Sequence, residues 1–212
     1  GLSAGNYTLV VTDANNCIAS STFTLSTPSA PSASIAGSDI CYDANNQATI
    51  TVTASGGVGH IAVQIAKHLG ATVVGTSSAK NRDFVLSLGA DAHIDYNNYD
   101  WTGHPKEFDF VLDAIGGENI DHSIEVTKEG GSIISIPTGL NDEVTSMAAA
   151  KGIKGYFILV QSHGGDMETI TSFLEKGIIK PHIFKTYGLD QIQEAHLQQE
   201  TGRTVGKLII TL

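Results

Sequence analysis

The residues of this chain best placed to act together are six in a row, Ala54-Ser55-Gly56-Gly57-Val58-Gly59, three of them glycine. Glycines at this density let the chain turn tightly and bring backbone N–H groups close to a ligand. A helix starting directly after them adds the positive end of its dipole, and the combination cradles phosphate oxygens. Further on, Thr76-Ser77-Ser78-Ala79-Lys80-Asn81-Arg82 offers hydroxyls and two cations, with no acid among them. A dinucleotide site built for a free ribose 2′-hydroxyl carries an Asp or Glu there, whereas hydroxyls and cations suit a 2′-phosphate. The two stretches predict NADP(H) as the cofactor. Ser55, Gly56, Gly57, Val58 and Gly59 form the expected phosphate turn, with Thr76, Ser77 and Lys80 near the adenosine ribose.

The motif works only between a strand and a helix. Ile61, Ile65 and Leu69 recur at helical spacing after the glycines, which predicts a helix from Gly59 to Leu69. Helices are also expected near Lys80 to Leu88, Asn119 to Thr127, Asp142 to Lys151, Asp166 to Lys176 and Leu189 to Glu200. Between them lie apolar strands at Thr72 to Gly75, Phe108 to Asp113, Ser132 to Ile136, Gly155 to Val160 and Lys207 to Leu212. This alternation is the pattern of βαβ units, so the predicted class is α/β, a Rossmann-like doubly wound parallel sheet. In such sheets ligands bind beyond the carboxyl ends of the strands. Asp113-Ala114-Ile115-Gly116-Gly117 and Ile136-Pro137-Thr138-Gly139 follow strands at that edge and therefore border the expected crevice.

One segment fits badly. Ala48-Thr49-Ile50-Thr51-Val52-Thr53 should be the central strand, yet it alternates apolar residues with Thr, whereas central parallel strands are normally apolar throughout. The residues before it belong to another regime, rich in Ser, Thr, Ala and Asn and nearly free of charge. Tyr7 to Thr12 and Thr22 to Leu25 read as strands, Asp13-Ala14-Asn15-Asn16 as a turn, and Pro28 to Pro31 as a linker. The division expected is a small all-β fragment with linker over residues 1–47 and a cofactor domain over 48–212, joined at a fusion junction.

Composition removes several classes. A net charge of -10 with only 12 basic residues leaves too little positive charge for a nucleic-acid groove. No apolar run approaches the roughly 20 residues of a membrane span, and no targeting signal opens the chain. The two cysteines, Cys17 and Cys41, make no metal-binding pattern, and the eight histidines are scattered singly, so no metal and no catalytic residue is assigned. A lone His such as His196 reads as a structural helix residue.

Together these stretches resemble the cofactor domain of the medium-chain dehydrogenases/reductases, in particular the zinc-type alcohol dehydrogenase-like and NADPH:quinone oxidoreductase branch. The likeness rests on Ala54 to Gly59 with Ala62-Val63-Gln64-Ile65-Ala66-Lys67, on Leu88-Gly89-Ala90-Asp91 with Ile94-Asp95-Tyr96, and on Phe108 to Asp113. Glu194-Ala195-His196, Gly202-Arg203 and Gly206-Lys207-Leu208 resemble the family's closing helix and strand. The resemblance implies that Tyr96 joins Lys80 at the 2′-phosphate, that Ile115 and Ile136 approach the nicotinamide, and that Lys207 adds charge near the cofactor. It implies an oxidoreductase moving hydride from NADPH to a quinone or enone, a cytoplasmic setting and a homodimer through the edge strand Gly155 to Val160. The family's GroES-like substrate domain has no counterpart in these residues, so binding with impaired turnover is expected, and Lys180 to Tyr187 would lose part of its packing. The N-terminal stretch through Cys17 to Pro28 resembles the end of a gliding-adhesin repeat, and Ile40-Cys41-Tyr42 with Ala48 to Gly57 the opening of the next, an immunoglobulin-like sandwich. Ala54 to Gly57 is then the crossover of a chimera. A surface adhesion or interaction module and a non-catalytic NADPH sensor are the alternative readings.

Overall fold

A computed structural model of the chain describes residues 5–12, 18–25, 48–53, 56–103, 105–136, 143–159 and 161–212. The chain divides into two units, Gly1–Cys41 and Tyr42–Leu212. In the first, β1 (Gly5–Thr12) and β2 (Ile18–Leu25) pair antiparallel, from Gly5 opposite Leu25 to Thr12 opposite Ile18. Both strands expected there are present. The predicted turn Asp13 to Asn16, both cysteines, the Pro28 to Pro31 linker and the crossover residues Ala54 and Ser55 lie outside the described residues.

The second unit holds a six-stranded parallel sheet in the order β5-β4-β3-β6-β7-β8. Its strands are β3 (Thr49–Thr53), β4 (Thr72–Ser77), β5 (Ala92–Asp95), β6 (Phe108–Asp113), β7 (Thr127–Ser135) and β8 (Lys154–Phe157). The connecting helices are α1 (Gly59–His68), α2 (Arg82–Ser87), α3 (Asn119–Val126) and α4 (Val144–Ala149). The chain starts in the middle, winds outward through β4 and β5, then returns to β6 and winds the other way. This is the Rossmann order, with its switch point between β3 and β6.

Strand alternation assigns side chains to the two faces. Val52, Val73 and Val85 are buried with Val63 of α1 on one side, joined by Ile50 and Leu112. Phe108, Val111 and Ile133 are buried with Ile120, Ile124 and Val144 on the other, joined by Val74 and Ile94. β6 and β4 therefore each feed two cores, while the apolar residues of β3 feed one. Two ion-paired carboxylates pin the ends of this arrangement. Asp109 accepts from the Thr49 N–H at 2.8 Å and the Lys128 ammonium at 2.8 Å, fixing the start of β3. Asp91 does the same for β4, accepting from the Val73 N–H at 2.7 Å and from Lys67.

The Thr-rich strand is central after all, between β4 and β6, and its mixed pattern leaves a trace. Thr51 is 4 % exposed and its hydroxyl has no hydrogen-bond partner among the described residues. It sits against a crevice lined by Thr76, Trp101, Val111, His122 and Ser123, so the face that a wet strand would offer to solvent is dry here. Trp101 stacks on His122 with ring centres 4.8 Å apart and closes that side.

Two strands escaped the periodicity argument, β5 at one edge of the sheet and β9 (Ile183–Gly188) near the C-terminus. β9 pairs in parallel with β10 (Lys207–Thr211); α5 (Gly164–Glu175) precedes β9, and α6 (Ile192–Glu200) connects the two strands. The Gln64 amide of α1 clasps the approach to β9: its NH2 donates to the Lys180 carbonyl at 3.2 Å and its oxygen accepts from the Lys180 N–H at 2.8 Å. Lys180 to Tyr187, expected to lose part of its packing, is thus tied to α1 at one end, and Tyr187 is buried at the other.

Candidate functional site

The cleft lies where the topology puts it, at the carboxyl edge of the inner strands. It has a volume of about 430 Å³ and is lined by Gly56, Ser78, Lys80, Asn81, Tyr96, Ala114, Ile115 and the run Gly202-Arg203-Thr204-Val205. Gly56, Lys80, Tyr96 and Ile115, expected from four separate stretches, meet here. Among the described lining residues none is acidic, and two are cations. Around the position of Gly56 a Cβ would meet nothing within 4 Å, so the turn is open toward the cleft.

Other expected contacts are placed differently, for reasons of strand parity. Thr76 is buried toward the α3 side, where it lines the crevice beside Thr51. Ser77 is buried on the opposite face, and its hydroxyl engages the Ser78 carbonyl at 3.1 Å and His93 Nε2 at 2.8 Å. Ser78, the first residue beyond the strand, lines the cleft instead. Arg82 turns to Asp83 at 3.3 Å and does not line the cleft, and its place as second cation is taken by Arg203. Val58 is exposed and Gly59 is the buried first residue of α1. Ile136 is half-buried and stands outside the cleft lining, and Ser55 lies outside the described residues. Lys207 stands on the glycine turn rather than in the cleft, its Nζ 3.2 Å from where a Cβ of Gly57 would be.

The floor beneath Ile115 is built by Asp113. Its fully buried carboxylate accepts from the N–H groups of Ile115 (3.0 Å) and Gly116 (3.0 Å), from Asn119 Nδ2 (2.8 Å) and from the Ser135 hydroxyl (2.6 Å). Gly116 and Gly117 both take positive φ, 78° and 61°, which makes the tight turn into α3 possible. His60, in the first turn of α1, is fully buried. Its Nδ1 hydrogen-bonds the Gly56 carbonyl at 3.2 Å, while Nε2 has no partner among the described residues. Burial pushes the His60 pKa down, Lys207 and His182 push it further the same way, and the Gly56 carbonyl opposes them. Among the described residues no three His, Cys, Asp or Glu side chains are grouped as a metal would need. No described helix is long and apolar enough to cross a membrane.

Parallel order, glycine turn and cleft define a dinucleotide-binding domain, and comparison with known proteins gives its family. Residues 88–210 match the family described as "Zinc-binding dehydrogenase", more than half of the chain, and the chain belongs to that family of medium-chain NAD(P)H-dependent oxidoreductases. Similar relatives include a 2-methylene-furan-3-one reductase of Solanum lycopersicum, 32% identical over 78% of this chain and 40% of that protein. An NADPH-dependent alkenal/one oxidoreductase of Arabidopsis thaliana is 29% identical over 76% of this chain and 39% of its own length. Among solved structures, a quinone oxidoreductase from Coxiella burnetii superposes with a TM-score of 0.73 at 31% identity, covering 79% of this chain and 54% of that one. The Escherichia coli quinone oxidoreductase, solved in complex with NADPH, gives 0.67 at 26% identity over 78% of this chain and 57% of that one. The chain thus spans about half the length, or less, of these relatives.

Proposed function

We propose that residues 48–212 hold NADP(H) for a reductase of the quinone or enone type. The observation that carries this reading is the cleft itself: Lys80 and Arg203 enter it from opposite ends of the domain's sequence, beside Ser78, Asn81, Tyr96 and Thr204, with no carboxylate among the described lining residues. Two cations and several neutral donors without an acid suit a ribose 2′-phosphate and disfavour a site specialised for the 2′-hydroxyl. The residues present fit the rest of the cofactor as well. Gly56 and Gly57 leave backbone N–H groups of the turn and the N-terminus of α1 open to the pyrophosphate, and Ile115 offers an apolar surface further along. Bound nicotinamide supplies the hydride. The protein's part, in this reading, is to grip the phosphates, fix the adenosine and keep the Asp113-built loop in place.

Relatives named for reduction of quinones, alkenals and furanones point to an activated acceptor with a conjugated carbonyl. By themselves the 212 residues bind the cofactor and turn over simple quinones slowly, in a cytoplasmic setting where NADPH is supplied. The edge strand β8, with Tyr156 and, two residues beyond its end, Leu159 open to solvent, pairs two copies in this reading, and light scattering at high concentration tests it.

The deciding experiment is a titration of the purified chain with NADPH and NADH, following nicotinamide fluorescence, with Gly57→Asp alongside. A carboxylate at position 57 would stand within reach of Lys207 and occupy the anion's place. Saturable binding that prefers NADPH and is lost in the variant is expected. Equal or stronger binding of NADH, or binding that survives the substitution, overturns the reading.

A further inference from the structure

Behind the polar wall of the cleft runs a hydrogen-bond relay whose inner members lie outside the lining. Ser77, the last residue of β4, is fully buried. Its hydroxyl donates to the Ser78 carbonyl at 3.1 Å and meets His93 Nε2 at 2.8 Å, and its carbonyl accepts from the Tyr96 N–H at 3.3 Å. The Ser78 carbonyl takes a second bond, from the Asn81 N–H at 2.9 Å, which closes the 3₁₀ turn Ala79–Asn81. Ser78, Lys80, Asn81 and Tyr96 all line the cleft. Ser77 therefore braces that wall from behind, and His93 braces Ser77.

A hydroxyl has one proton to give. With that proton on the Ser78 carbonyl, the contact to His93 is satisfied only when ring Nε2 is itself a donor. The charged ring always meets this condition. The neutral ring meets it in one tautomer, and in the other it draws the Ser77 proton to itself and leaves the Ser78 carbonyl with a single donor. His93 stands on the edge strand β5 and is only partly buried, so protons reach it from solvent. Register places Ser77 opposite Asp95, and alternation puts His93 on the same face as Asp95. Burial, the largest influence on the ring, favours its neutral form. Asp95 and the Ser77 backbone favour the charged form, Arg82 of α2 opposes it while paired with Asp83, and β4 carries no ionisable residue.

We infer that His93 is a positioning residue for the 2′-phosphate: through Ser77 it holds the Ser78 to Asn81 turn in the form that grips this group, and a proton on the ring strengthens the grip. The inference rests on the cofactor reading above, and it gives a histidine outside the cleft lining a share in the choice between NADPH and NADH. The coupling is reciprocal, so a bound 2′-phosphate favours the charged ring.

Nicotinamide fluorescence titrations with NADPH and NADH compare the 212-residue chain with His93→Val, which removes the donor, and His93→Gln, whose amide N–H donates from nearly the same place. The expected result is an NADPH affinity about fivefold lower in His93→Val, the size of one neutral hydrogen bond, with NADH within about twofold and most of the loss recovered in His93→Gln. On the unaltered chain, proton NMR follows the His93 ring through pH, alone and with saturating 2′-AMP or 5′-AMP. The titration midpoint should rise by about half a unit with 2′-AMP and stay in place with 5′-AMP, which lacks the 2′-phosphate. Parallel losses for NADPH and NADH in a folded His93→Val, or no loss at all, would reduce His93 to a support of the fold. A midpoint that 2′-AMP does not move would disconnect the ring from the phosphate, and this measurement decides alone should His93→Val not fold. Any of these overturns the inference and leaves the cofactor reading standing. An unaltered chain that binds NADPH no better than NADH sinks the cofactor reading first, and the inference with it.

Discussion

Replacing Thr51 with Val should make this protein more stable, an unusual expectation for a change in the centre of a sheet. Thr51 is 4 % exposed, and among the described residues its hydroxyl has no hydrogen-bond partner. Burying a hydroxyl without a partner costs about 1–3 kcal/mol by protein mutational data. Valine has the same branched shape, puts a methyl where the hydroxyl was, and favours strands at least as well. Taking the lower part of that range, because the crevice beside Thr51 lets the side chain relax, the gain is about 1–2 kcal/mol. For a unit of this size each kcal/mol moves the midpoint by roughly 2–4 °C, so the parallel-sheet unit should melt about 2–8 °C higher. The assay is thermal unfolding followed by circular dichroism, with urea titration to check that the slope is unchanged. Thr145→Val, on the exposed face of α4, serves as control and should stay within about 0.5 kcal/mol of the parent. A fall in the Thr51→Val midpoint of more than about 2 °C, roughly 0.5–1 kcal/mol, would show that the hydroxyl is satisfied in solution and would refute the argument.

Three more outcomes follow from the contacts described. Arg203→Ala and Lys80→Ala should each weaken NADPH binding about tenfold while leaving NADH within about twofold, read by nicotinamide fluorescence; parallel losses for both cofactors would remove these residues from the 2′-phosphate. Acid stability should depend on Asp91 and Asp109. The Lys67 ammonium holds the Asp91 carboxyl below the usual range, and at Asp109 burial pushes up but Lys128 and the Thr49 N–H prevail. Carboxyls whose pKa is lower folded than unfolded stabilise fully above the unfolded value of about 4, and that contribution is lost as pH falls through the folded value. Asp109→Asn should therefore be less stable at pH 7 and show a flatter acid limb in urea titrations between pH 5 and 2, and an unaltered limb would count against the pairing. Buried His60 has its pKa lowered, chiefly by burial, so the neutral form is the one folded. Stability should decline as pH drops below its unfolded value of about 6.5, and a His60→Gln variant should lose that part of the slope.

The parts of this molecule that were legible in the sequence are those whose signal is local. The glycine turn announces itself because strand, glycines and helix are contiguous, and α1, β6 and α3 follow from runs whose periodicity is uninterrupted. β5 was missed because Ala92-His93-Ile94-Asp95 is short, mixed in polarity and an edge strand, so one flank has no partner to demand apolar residues. β9 was missed because Ile183-Phe184-Lys185-Thr186 is exposed, which leaves no burial pattern to read. The cleft was half legible. Lys80 came from its position after a strand and Tyr96 from the family resemblance, but Arg203 lies more than a hundred residues from Lys80 and meets it only through the fold. Thr76 and Ser77 show the opposite error. Their residue type suits a phosphate, but the strand continues through both, and alternation commits one to each face before either reaches the ligand's edge. The Thr pattern of β3 was read correctly as a conflict with a central position, and that conflict survives in the buried Thr51 hydroxyl.

Asp113 has a consequence for the heat of binding. Its four donors are engaged within the protein, so the loop from Ala114 to Gly117 is already set, and Ile115 is displayed 52 % exposed on a scaffold that needs no further ordering. A cofactor that covers Ile115 therefore removes apolar surface from water without freezing a mobile segment. The association would carry a small negative heat-capacity change, set by that covered patch alone, and its enthalpy would drift only slowly with temperature.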